Sequence, residues 1–296
     1  MLLVSIFICG INIASVIGMA IDSICLLVTV TFKLFVIAVL SIKSAKISYF
    51  ATQMQLVTPS FNIQQTHIDY QTARLFAEAG PMGISFTVLS SDNCFIAVVV
   101  YAFSPGITKQ EMAEKFTTIF KTEKLLQQKF NKTYVYWSFA QSILVPAELM
   151  NEERNSKMLD LVFGDSKKGV IHSDFLYRHN LHNVYRVPEI IMDVFLNYLP
   201  EAIQSHFFST LVNRDIPGGN NLYTVFYHNS ISIMLCRDGK LQVIQNFDFI
   251  NADDCIYHLL NVCKGFDVVG NSVNLHISGM IDKRSGLYSA VNKYFL

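Results

Sequence analysis

Charge is scarce in this chain, and it is not one-sided. Asp, Glu, Lys and Arg make up 16% of the 296 residues, with 23 acidic groups against 23 basic ones. That balance leaves no basic stripe of the kind that tracks a phosphate backbone. The one lysine-rich stretch, Lys121 to Lys132, is diluted by Glu123, Gln127 and Gln128, so no nucleic acid is expected as a partner. The 14 glycines form no Walker A loop, no G-x-S-x-G elbow and no G-x-G-x-x-G turn, which removes the commonest phosphate-binding and acyl-transfer signatures. No two of the six cysteines form a C-x-x-C pair. The four beyond residue 50, Cys94, Cys236, Cys255 and Cys263, are expected to be buried thiols in a reducing compartment. What is abundant is apolar: 51% of the residues are hydrophobic, and the chain has 23 Phe and 13 Tyr. That content excludes disorder and is ample for a buried core.

The first fifty residues differ from the rest. Met1 to Ala20 carries no charge, and Asp22, Lys33 and Lys43 are the only charges up to Ser44. Met1–Ile21 and Ser23–Ile42 are each long enough to span a bilayer, which takes about 20 mostly apolar residues. No basic n-region or clean cleavage site marks a secretory signal. Two readings stay open. In one, the start is mis-assigned, translation begins at Met54, and residues 1–53 are an apolar leader outside a cytoplasmic protein. In the other, residues 1–46 are an inner-membrane anchor, and Lys43 and Lys46 put the soluble domain in the cytoplasm by the positive-inside rule.

The remainder reads as α/β, with one pattern used twice. Ala73–Ala79, Ile84–Leu89 and Phe95–Phe103 are strand-like, and Ser104-Pro105-Gly106 breaks the chain. Thr108 with Glu111 three residues on is a capping box, and Met112, Phe116, Ile119 and Phe120 recur at helical spacing. Later, Leu222–Tyr227, Ser230–Cys236 and Leu241–Phe249 are strand-like, with the Asp238-Gly239 hairpin signal between the last two. Asn251 and Asp254 then stand as N-cap and N3 of a helix with an apolar stripe. Each block goes on to a further strand and helix, which gives βββαβα twice. The spacing predicts two domains, 54–187 and 188–296, with Pro188 at the first position of a helix. Ile216–Asn221 reads as a loop.

Two small constellations carry little chemistry. His172, Asp174, His179 and His182 have metal-ligating side chains, but their spacing does not make them converge, and they read as a polar inter-strand segment. Cys255 and His258 share a helix, with the thiol on its apolar stripe.

A duplicated βββαβα unit is the plan of the actin-like, ribonuclease H-like ATPase superfamily, which includes pilus-assembly proteins. Within it the chain resembles an uncharacterised Bacteroidetes family, domain of unknown function 3822. The residues that carry the resemblance begin with Pro59-Ser60-Phe61-Asn62-Ile63 and Met82-Gly83-Ile84-Ser85-Phe86. Leu144 to Leu149 with Glu152 and Glu153 follow, then Asn183 to Pro188, and Leu275 to Gly279 with Leu287-Tyr288. They span roughly 58–296 and leave out the leader.

The resemblance implies where nucleotide would sit. Active members hold Mg-ATP in two hairpin turns, each supplying an Asp for the cation and a Gly for close backbone approach, and a glycine-rich loop takes the adenosine. Here the first hairpin offers Glu78-Ala79-Gly80-Pro81-Met82-Gly83, with no Asp and with Pro81 lacking an N–H. The second, Phe226 to Ser230, has neither Asp nor Gly, and the third place offers only Gly279. Gly80, Gly83, Ser230 and Gly279 are therefore the candidate ATP-contacting residues, with no catalytic residue and no metal ligand assigned. The expectation is a pseudoenzyme that serves as an interaction or scaffold module for an unidentified protein. The alternatives are a weakly active, nucleotide-binding ATPase of the pilus-assembly type, or a membrane-anchored assembly component.

Overall fold

The computed structural model describes residues 57–65, 69–164 and 169–295. The leader, residues 1–53, and the choice of start lie outside the described residues. Among the described residues no helix is long and apolar enough to cross a membrane. The chain is mixed α/β and divides into two compact units, one ending at Thr210 and one beginning at Leu211.

The first unit is built on a six-stranded sheet. Its strands are β1 (Phe61–Gln64), β2 (Arg74–Gly80), β3 (Gly83–Leu89), β4 (Phe95–Ala102), β5 (Lys132–Trp137) and β9 (Ile203–His206), in the order β1-β4-β3-β2-β5-β9. Strands β2, β3 and β4 form consecutive antiparallel pairs, and β5 joins β2 in parallel. The parallel step needs a crossover, which α1 (Lys109–Thr122) supplies. This helix starts where the sequence dictates: Thr108 Oγ1 accepts from Glu111 N at 3.2 Å, and Glu111 Oε2 accepts from Thr108 N at 2.9 Å. Its stripe of Met112, Phe116, Ile119 and Phe120 is buried on the sheet.

A smaller antiparallel sheet lies within the same unit. It consists of β6 (Ser142–Pro146), β8 (Leu181–Val187) and β7 (Val170–Leu176), in that order. Helix α2 (Glu152–Phe163) packs on it through Leu159, against Val145 and Val184. Helix α3 (Glu189–Tyr198) then returns to the main core. Its Phe195 ring lies 5.4 Å from Phe116, 5.1 Å from Phe120 and 4.7 Å from Trp137, centre to centre. Three aromatic contacts tie α3 to the first unit, which runs on to Thr210. Pro188 is the N-cap of α3 and not its first residue. The short helix α4 (Phe207–Val212) follows β9 directly.

The second unit holds β10 (Asn220–Phe226), β11 (Ser230–Arg237), β12 (Lys240–Asp248) and β13 (Asn274–Gly279), in the order β12-β11-β10-β13. The first three are antiparallel neighbours and β13 joins β10 in parallel. Asp238 and Gly239 turn β11 into β12 with φ of 50° and 76°, the left-handed pair that a two-residue hairpin requires. Helix α5 (Ala252–Gly265) is capped by Asn251 Oδ1, which accepts from Asp254 N at 2.9 Å. It lays Cys255, Ile256, Leu259 and Cys263 on the sheet beside α6 (Gly286–Phe295). Asn220 and Asn221, read as loop, already belong to β10.

Candidate functional site

The first candidate turn joins β2 to β3, with Gly80 paired to Gly83 across it. Both glycines are spoken for by neighbouring chain. Gly83 has φ of +133°, and a methyl there would fall on the Tyr101 carbonyl oxygen of β4. A methyl at Gly80 would meet the Ser138 hydroxyl just beyond β5. Phe103 N donates to the Met82 carbonyl at 2.9 Å, which draws the turn toward the end of β4. Pro81 has no N–H to offer.

The second turn joins β10 to β11 and is closed by Tyr227 N donating to Ser230 O at 2.8 Å. Gly279, at the end of β13, pairs with Phe226 in parallel register. It has φ of +113°, and a methyl there would strike the Phe226 backbone. Met280 N donates to Phe226 O at 2.6 Å. The structure thus brings Ser230 and Gly279 to one end of the four-stranded sheet, on either side of β10. Gly80 and Gly83 stand together in the other unit.

Neither turn contains a carboxylate. Asp282, three residues past Gly279, is tied to Arg284 at 3.2 Å. Asp248 lies opposite Ser230 in register, exposed at the end of β12. Among the described residues no group of three or more His, Cys, Asp or Glu side chains is placed to hold a metal. Neither turn supplies a carboxylate ligand of its own for a magnesium-held phosphate, and three candidate glycines are fitted to protein.

The side chains read as a polar inter-strand segment form something more definite. His172 and Asp174 lie on β7, while His182 is on β8 and meets Ser173 Oγ at 3.0 Å. Asp174 is the centre of a network. Its Oδ2 accepts from Ser205 Oγ at 2.7 Å, His206 N at 2.7 Å and Ser209 Oγ at 2.6 Å, and its Oδ1 accepts from Tyr185 OH at 3.3 Å. Asn183 adds a bond to Ser209 at 3.0 Å and receives one from Ser142 at 2.6 Å. Burial, and then the Asp174 charge, push the Tyr185 hydroxyl well above the usual tyrosine range.

His206 is fully buried. Its Nε2 meets the Phe139 carbonyl at 2.9 Å and its Nδ1 accepts from Phe208 N at 3.1 Å. Both ring nitrogens are engaged, and burial lowers its pKa to about 4. It is therefore no general base for the serines, and the network is a clasp joining the small sheet to β9 and α4. Asp174→Asn puts an NH2 among groups that are already donors. Such a change is expected to cost about 1–3 kcal/mol, read from the midpoint of urea unfolding.

The profile of DUF3822, a protein of unknown function, matches residues 58–296. No curated protein of known function matches significantly. A solved structure from Bacteroides thetaiotaomicron VPI-5482, with actin-like ATPase fold and unknown function, is 16% identical and has a TM-score of 0.67, covering 77% of this chain and 91% of that one. That likeness establishes the fold. The PilM–PilN type IV pilus biogenesis complex is more distant, at 13% identity and TM-score 0.38, covering 74% of this chain and 68% of that one.

Proposed function

This chain belongs to the DUF3822 family, and from that premise we propose that it is a non-catalytic interaction or scaffold module on a duplicated actin-like frame. Duplication is supported by the strand orders β4-β3-β2-β5 and β12-β11-β10-β13, each with one parallel pair after a helix. The observation that carries the functional reading is the chemistry of the two turns. Gly80-Pro81-Met82-Gly83 and Tyr227-His228-Asn229-Ser230 offer no carboxylate for a cation. Phosphoryl transfer depends almost wholly on positioning and electrostatic stabilisation, and these turns supply no anionic ligand to place the cation. The partner is a protein, the location is cytoplasmic, and no nucleic acid is bound. If residues 1–46 are translated, the same module is held at a membrane.

A second reading, a weakly active nucleotide-binding ATPase, is favoured by Asp248 opposite Ser230 and by the buried Asn229 Oδ1, which has no hydrogen-bond partner among the described residues. Steady-state phosphate release from Mg-ATP decides between them. The scaffold reading predicts a rate that does not rise with protein concentration. A rate that rises in proportion to it, and falls in Asp248→Asn, supports the second.

A further inference from the structure

Arg214 lies just before β10 and carries a positive charge that pairs with no acidic side chain among the described residues. Its guanidinium carbon sits 4.2 Å above the centre of the Tyr223 ring. Tyr223 in turn stacks on His276, with ring centres 4.2 Å apart and planes 12° from parallel. The stack is held from beneath. His276 Nε2 meets Asn221 Oδ1 at 3.1 Å, and the Asn221 amide donates to the carbonyls of Pro217, Gly218 and Gly219 at 3.1–3.2 Å. Asn221 is fully buried and Tyr223 nearly so, so these two layers have little freedom to move.

The guanidinium on top of this column makes no hydrogen bond and no ion pair among the described residues. An arginine has five N–H donors in a planar fork. Withdrawing it from water is costly unless those donors find acceptors, and a ring face satisfies the charge but none of the N–H groups. Burial lowers the Arg214 pKa, and the groups that act on it are Tyr223 and Cys236, not the exposed Asp215. Arginine stays charged throughout the working range. Arg214 is only partly buried and its nitrogens are not sealed from solvent, so the fork stays open to an acceptor from outside with two oxygens spaced for it.

We propose that Arg214, held over the Tyr223–His276 stack, is the receptor for an oxyanion group, carboxylate or phosphate, of a small-molecule ligand. The fork geometry selects for two coplanar oxygens, and the stack fixes where the fork stands. The site is separate from the two hairpin turns and needs no cation.

The test uses the full chain in sodium chloride, sodium phosphate or sodium acetate at equal ionic strength. In phosphate or acetate the wild type is expected to unfold about 3–6 °C higher once the anion reaches about ten times its Kd. The salt that acts at the lower concentration identifies the oxyanion. Arg214→Gln is expected to lose the shift, and Arg214→Lys to keep a reduced one, since the charge remains and the fork does not. No oxyanion-specific rise in the wild type at millimolar concentrations overturns the proposal, and so does an equal rise in Arg214→Gln. If the glutamine variant does not fold, the Arg214 Nε–Hε resonance of the wild type decides. It lies over the Tyr223 ring and must move with added phosphate or acetate. A resonance that stays fixed overturns the assignment.

Discussion

Gly83→Ala and Gly279→Ala are each expected to destabilise the protein by about 3–5 kcal/mol, close to the whole stability of many domains. Two costs combine at each position. The φ angles, +133° and +113°, are ones an L side chain rarely adopts. The new methyl also meets backbone, the Tyr101 carbonyl in one case and the Phe226 peptide in the other. Backbone hydrogen-bonded into a sheet cannot swing aside as a long side chain can, so overpacking adds to the conformational strain. Gly106 is the internal control. Its φ is +79° but nothing lies within 4 Å of the position a methyl would take, so Gly106→Ala carries only the left-handed penalty, about 1–2 kcal/mol. Urea unfolding of the three variants reads the difference. Equal losses at Gly83 and Gly106 would show that close strand packing is not what fixes Gly83.

Stability is expected to fall steeply as pH drops from 7 toward 4, ahead of ordinary carboxylate titration. Burial lowers His206 to about 4, and burial and then the Arg214 charge lower His276 to about 4, against an ordinary value of 6.5. The folded state keeps both rings neutral for structural reasons. A proton on His206 Nδ1 would replace the bond it accepts from Phe208 N, and a charge on His276 would face Arg214 across the Tyr223 ring. Between pH 6.5 and 4 the unfolded chain therefore binds more protons than the folded one, and stability declines with falling pH. Each histidine contributes up to about 3 kcal/mol over that window. The slope near pH 5 is expected to be about 2–3 kcal/mol per pH unit, corresponding to two protons. Urea midpoints measured from pH 7 to pH 4.5 test this, and a flat profile down to pH 5 would contradict it.

The parts of the fold legible in the sequence are those fixed by neighbours along the chain. The Thr108–Glu111 box, the Asp238-Gly239 hairpin and the Asn251 cap are all encoded within four residues, and each forms as read. The βββα order of each block is equally local, because it rests on alternating runs and their breakers. Strand β9 and helix α4 escaped notice because Ile203–His206 is short, mostly polar and runs directly into α4. The place of α3 could not be read from periodicity. Its stripe is amphipathic whichever core it joins, and only the Phe195 contacts decide.

The same contrast holds for the candidate site. Gly80, Gly83 and Gly279 are conspicuous in the sequence, but a glycine that lets a ligand approach and one that lets a strand approach look alike there. The Asp174 clasp gathers residues from β7, β8, β9 and α4, so no spacing in the chain announces it. Arg214, Tyr223 and His276 are likewise separated by nine and then 53 residues, and only the parallel pairing of β10 with β13 brings the two rings together.

The central claim is that the two hairpin turns no longer hold a magnesium nucleotide. It is tested most directly by thermal unfolding of the full chain with ATP, once with excess Mg²⁺ and once with the cation chelated. A ligand at about 100 times its Kd adds about 2.7 kcal/mol to the folded state, a shift of several degrees for a chain of this size. An oxyanion site on Arg214 responds to ATP in both conditions alike. The account predicts the same Tm with and without Mg²⁺. A further rise that requires both ATP and Mg²⁺ would contradict it and restore the turns as a working nucleotide site.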